Sequence, residues 1–170
     1  MNGFTLEQLE EIASKLLEKF NASESNLVDI TEMAEELGVE VYEGKFEDQE
    51  MLGTLVCNSE EKAIYVDEKL DEPEKRYVIA TQLAHIILDH NSRYQDTEYI
   101  IDFKQPYKGR MTTQDFGEKV QAAILGAALL MPRKLVQKIA SETKSVDLIA
   151  QYFQVSKRAV FTRLDNLGLL

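Results

Sequence analysis

The chain holds two histidines and one cysteine, so few of its residues could ligate a metal or act as a nucleophile. His85 is the most informative of them. Thr81 lies four residues before it and Asp89 four residues after, so on a helix the three share one face. Further along, Glu118 and Gln121 stand about one helical turn apart. His85, Asp89 and Glu118 together would offer one imidazole and two carboxylates, a donor set that zinc accepts. Gln82 carries a neutral amide that takes no proton from water near neutral pH, so it is no general base. His90 follows His85 by five residues, and a continuous helix would turn it to one side, toward the surface or behind the site. Cys57 cannot form an internal disulfide and has no histidine near it in sequence, which reads as a strand residue.

The elements that must position these residues are legible in the periodicity. Residues 5–20 place apolar side chains at helical spacing, with Thr5 and Gln8 set for a capping box. A second helix is expected over 30–37, capped by Asp29 and stopped by Gly38. Short β-branched or aromatic runs at 39–42, 52–57 and 62–67 predict strands of a small antiparallel sheet, with 58–61 as a hairpin turn. Residues 73–90 are apolar around much of a helix circumference, which predicts a buried central helix starting at Pro73. Residues 91–112 read as a long loop, with a strand at 98–103. A second apolar helix is expected over 114–131, ended by Pro132, followed by helices at 133–140, 146–153 and 156–166. Leu83, Ile86, Ile87, Leu125, Leu129 and Leu130 should meet in the core. The predicted fold is α+β, a small, mostly antiparallel sheet packed on a helical bundle, with one main domain over 1–140 and a C-terminal helical subdomain over 141–170.

Composition narrows the function classes. With 44% hydrophobic and 29% charged residues the chain is ordinary for a globular domain, neither fibrous nor disordered. It has no long apolar run and no signal-like start, so no membrane is expected, and the cytoplasm is the simplest address. The net charge of -11 opposes general attraction to nucleic acid. The charge is uneven. Residues 133–170 carry seven Lys/Arg against three acids, +4, which leaves -15 for residues 1–132. The C-terminal rhythm, with Lys157, Arg158 and Arg163 on or near the last helix, is one that DNA readers use.

Two segments carry a family resemblance. Tyr77 and Ala80 precede Thr81-Gln82-Leu83-Ala84-His85, and a Leu-containing turn with a second histidine, His90, follows. Later, Gly126-Ala127-Ala128 runs into Leu129-Leu130-Met131-Pro132. Together with the 28–42 segment and the phrases at 149–156 and 163–169, these resemble the ImmA/IrrE family of zincin-like metallopeptidases over nearly the whole chain. That family's zinc motif is H-E-x-x-H, with a third ligand, Glu, on the later helix. Aligned on it, only the second histidine stands, as His85. Thr81 replaces the first histidine, Gln82 the general base, Gln121 the third ligand, and Ala123 an asparagine.

The resemblance implies a zincin-like fold and a setting in which active members cleave regulators, notably helix–turn–helix repressors of phages and mobile elements, or act in stress responses. The substitutions imply an inactive pseudo-peptidase that binds a regulatory protein partner, with no catalytic residues and no cofactor. Zinc would enter only through the altered site of His85, Asp89 and Glu118. The alternatives are an active metallo-endopeptidase with rearranged ligands, and a DNA-binding regulator using the C-terminal helices. An active zincin lays an extended peptide beside an edge strand. The same surface here would be Gly53, Thr54 and Leu55, with Tyr94, Tyr99 and Phe103 of the long loop as anchors.

Overall fold

The computed structural model describes residues 3–22, 27–90, the backbone of 99–103, and 117–170. The elements run α1 (Leu6–Lys19), α2 (Ile30–Glu36), β1 (Glu40–Gly44), β2 (Gly53–Cys57), β3 (Lys62–Asp67), α3 (Glu72–Ile87), β4 (Tyr99–Phe103), α4 (Glu118–Leu130), α5 (Arg133–Glu142), α6 (Val146–Phe153) and α7 (Lys157–Asn166). This is the expected α+β architecture.

Local chemistry explains most element ends. Thr5 and Gln8 form the capping box that starts α1, and Asp29 accepts from the amides of Thr31 and Glu32 to start α2. Gly38, at φ +76°, turns the chain from α2 into β1, where a side chain would be strained. α3 begins one residue before the expected Pro73, because Asp71 and Glu74 make a second capping box. The Asn58 side chain accepts from the amides of Glu60 and Glu61, which closes the β2–β3 hairpin.

The sheet order is β1-β3-β2-β4. β2 pairs antiparallel with β3, as expected, and also with β4, while β1 runs parallel to β3, with Tyr42 opposite Tyr65. The sheet is therefore mostly antiparallel, as expected, with β1 as its parallel strand.

α3 and α4 form the spine. Val78 to His85 on α3 and Val120 to Leu130 on α4 are buried without interruption. Leu83, Leu125, Leu129 and Leu130 lie in the core as expected, whereas Ile86 and Ile87 are half-buried at the end of α3 and only flank it. The helices approach closely at Gly126, where an added Cβ would stand 2.9 Å from the Thr81 amide nitrogen. Glycine there brings the α4 backbone against α3 at the position where the site begins. α7 is pinned to the spine and to α1 by Arg163, which is 1% exposed. Its Nε donates to the Met131 carbonyl at 3.0 Å, and its two terminal nitrogens donate to the Glu10 carboxylate.

Candidate functional site

Thr81, Gln82 and His85 sit on the buried middle of α3, and Gln121 sits in the first turns of α4. All four are buried, Gln82 completely. The structure brings His85 and Gln121 into one cluster, but through a residue the sequence placed elsewhere. α3 ends at Ile87, and Asp89 then adopts φ +56°, a left-handed conformation that an aspartate tolerates better than most residues. That turn swings His90 back over the helix end. His90 is 4% exposed, its Nδ1 lies 2.9 Å from Nδ1 of His85, and its Nε2 lies 3.4 Å from Oε1 of Gln121. The two imidazole rings meet edge to face, with centroids 5.1 Å apart. Of the two positions expected for His90, the surface one is excluded and the one behind the site is the one found, because α3 stops short of residue 90.

The hydrogen-bond sense follows from the atoms. An amide oxygen only accepts, so His90 carries its proton on Nε2 and donates to Gln121. The two Nδ1 atoms share a proton, so one ring donates to the other. Burial, with lesser contributions from His90 and Lys119, lowers the His85 pKa to about 3, so His85 is neutral at any ordinary pH.

The carboxylates of the altered metal site are placed differently from the expectation. Asp89 is exposed and lies beyond the helix end, so the i, i+4 relation to His85 is lost. Glu118 is half-buried in the first turn of α4. Among the described residues no three of His, Cys, Asp and Glu come together as a metal would require. Cys57 is buried in β2, and burial raises its thiol pKa, which keeps it protonated and unreactive.

The expected peptide-binding edge is also corrected. β2 is an interior strand: Gly53, Thr54 and Leu55 pair with Val66, Tyr65 and Ile64 on one side and with Phe103, Asp102 and Ile101 on the other. Leu55 is fully buried, and a Cβ on Gly53 would collide with Val78 of α3 at 2.6 Å. The chain's own β4 holds the place where a peptide would add. Tyr94, and with it most of the 91–112 loop, lies outside the described residues, as do the side chains of Tyr99 and Phe103.

The family pattern of a histidine after the Leu-containing turn marked His90 in the sequence, but its contact with His85 left no local signal beyond the polar run that begins at Asp89. The Glu10–Arg163 pair, 153 residues apart, left no local trace.

With this geometry in hand, comparison with known proteins places the chain. Among curated proteins none matches it significantly. A solved Mycobacterium tuberculosis transcriptional regulator superposes with a TM-score of 0.65 at 19% identity, covering 93% of this chain and 46% of that one. At that identity the likeness is one of fold, and the chain spans about half the length of that regulator (46%). Among the described residues no helix is long and apolar enough to cross a membrane. The model of the IrrE N-terminal-like domain matches residues 34–165, from the end of α2 to the last turn of α7, and the chain belongs to that family.

Proposed function

We propose that this chain is a non-hydrolytic member of its family, a pseudo-peptidase that binds a regulatory protein partner in transcription control. One observation carries the reading: a neutral His85 is engaged with His90, and His90 with Gln121, at the place where family resemblance puts a zinc ion. The donor set does not fit zinc hydrolysis. Zinc sites of this kind use imidazole and carboxylate ligands with a general base beside them. Here the matching side chains are a threonine hydroxyl, one imidazole and a neutral amide, with Gln82 buried where the base would act. The Nδ1 of His85 is engaged with another ring, and no carboxylate of the described residues joins it. No hydrolytic step follows from such residues.

Protein rather than DNA is the favoured partner, because the basic C-terminal segment is less available than its composition suggests. Arg163 is buried against Glu10, Lys157 pairs with Asp147, and Arg133 holds Glu7 in a two-pronged contact at 2.7 and 2.9 Å. The outer surface of α6 and α7 instead shows Leu148 and Phe161, 54% and 51% exposed. The acidic remainder of the chain suits a basic partner, and helix–turn–helix repressors are of that kind. The regulatory setting is in keeping with the structural neighbour, a transcriptional regulator. The test is to mix the purified protein with a panel of basic helix–turn–helix repressors, with and without added zinc, and follow both complex formation and repressor mass. A complex with an intact repressor is expected. Cleavage by clean protein, or no complex with any repressor in the panel, overturns the proposal.

A further inference from the structure

The sheet has two edges. β4 forms one, and β1 forms the other, with no strand beyond it among the described residues. The Gly44 carbonyl accepts from the Glu68 amide at 3.0 Å, on the β3 side. A parallel ladder alternates residue by residue, so the amides of Val41 and Glu43 point away from β3, toward the open edge. A row of main-chain groups left in this way is a template for another strand.

Beside that edge lies a groove of about 600 Å³, lined by Tyr42, Lys62 and the four carboxylates of Glu35, Glu40, Glu60 and Glu61. Tyr42 is 44% exposed and stacks on Tyr65, with ring centroids 5.4 Å apart. Both phenols donate to carboxylates, Tyr42 to Glu40 at 2.9 Å and Tyr65 to Glu61. The carboxylates draw the phenol pKa values upward, that of Tyr65 to about 12, so the rings stay neutral. Each carboxylate accepts only one of these bonds and keeps further lone pairs for a cation. Aromatic faces add a second attraction for ammonium and guanidinium groups.

We infer that the β1 edge docks an extended lysine- or arginine-rich segment of another protein, which adds as a strand and lays its cations against Tyr42, Glu40 and Glu61. Main-chain hydrogen bonds to Val41 and Glu43 would supply register, and every second side chain of the segment would face the groove. A second copy of this chain fits less well. Pairing β1 with β1 would set Glu40 and Glu43 of one copy against those of the other, and like charges across strands repel. This surface is on the opposite side of the sheet from β4, and the inference stands whatever the His85 cluster does.

Fluorescence anisotropy with a labelled synthetic peptide of alternating lysine and valine tests it on the full chain. The peptide should bind, and binding should weaken about tenfold when Glu40→Gln and Glu61→Gln are combined. Tyr42→Ala should weaken it too, with circular dichroism confirming that each variant is folded. A backbone N-methylated version of the peptide and an alternating glutamate-valine peptide should both fail to bind. No binding of the lysine peptide to the wild type, equal binding of either control, or unchanged affinity in the folded glutamate variant overturns the inference. So does a dimer in sedimentation that the lysine peptide does not displace, because the edge would then be a self-interface.

Discussion

Two buried polar clusters lie on the same helical scaffold and are built on opposite electrostatic principles. Between the end of α3 and the start of α4, a neutral His85 meets His90, which reaches Gln121. Between α1 and α7, Glu10 and Arg163 bury an ion pair, and the Met131 carbonyl accepts from the guanidinium Nε. A buried charge persists only when its partner and hydrogen bonds are complete. The ion pair meets that condition and holds the two ends of the described chain together. The other cluster is built around a neutral imidazole, because burial keeps a proton off His85. The difference teaches that burial of charge in this scaffold goes with a complete set of partners, as Arg163 has, and that His85 is held in its uncharged form.

The largest expected effect comes from breaking the ion pair. Glu10→Ala leaves Arg163 charged and buried without its carboxylate, and should cost about 3–5 kcal/mol in urea or thermal unfolding. Replacing both residues together by apolar ones of similar volume should cost far less than the single change, since the desolvation penalty leaves with the charges. If the single and double variants unfold alike, the pair is not acting as a buried charge pair.

Breaking the His85 cluster should cost less. His90→Leu takes a hydrogen-bond partner from both His85 and Gln121, a loss on the order of 1–3 kcal/mol. A cost equal to that of Glu10→Ala would mean that the cluster carries charge after all.

The pH dependence sharpens the contrast further. Because the folded His85 pKa is lowered to about 3, the folded chain refuses a proton that the unfolded chain accepts below its ordinary value of 6.5. His85 therefore contributes no pH slope above that value, and stability falls as pH drops from 6.5 toward about 3. The part due to this residue should reach on the order of 2–3 kcal/mol by about pH 4. His85→Gln should flatten the stability profile over that window. A slope unchanged in the variant would place the acid sensitivity elsewhere.

These clusters also mark the limit of what the sequence discloses. Features fixed within a few residues were legible: the Thr5–Gln8 capping box, Asp29 as a helix cap, Gly38 as a stop, and the Asn58 turn. So was the α+β plan and the buried spine, because α3 and α4 are apolar around their circumference. Features that depend on contacts distant in sequence were not. The parallel sense of β1 depends on β3, and the interior position of β2 depends on its pairing with β4, a strand that was expected without its partner. Arg163 read as a basic surface residue because its partner lies on α1. In the candidate site, Thr81, Gln82, His85 and Gln121 were found by pattern, whereas the contact of His90 with His85 was not. One left-handed residue, Asp89, decides its direction, and helical periodicity has no means of announcing such a turn.

On the proposed reading the His85 cluster is a hydrogen-bonded group and not a metal centre. The decisive experiment is zinc titration of the chelator-free protein, read by elemental analysis and by nitrogen-detected NMR of the two imidazoles. Substoichiometric zinc is expected, with a proton shared between the two Nδ1 atoms and no change in either ring as zinc is added. Stoichiometric zinc that is lost in His85→Ala, with both ring signals moving on binding, would contradict that reading.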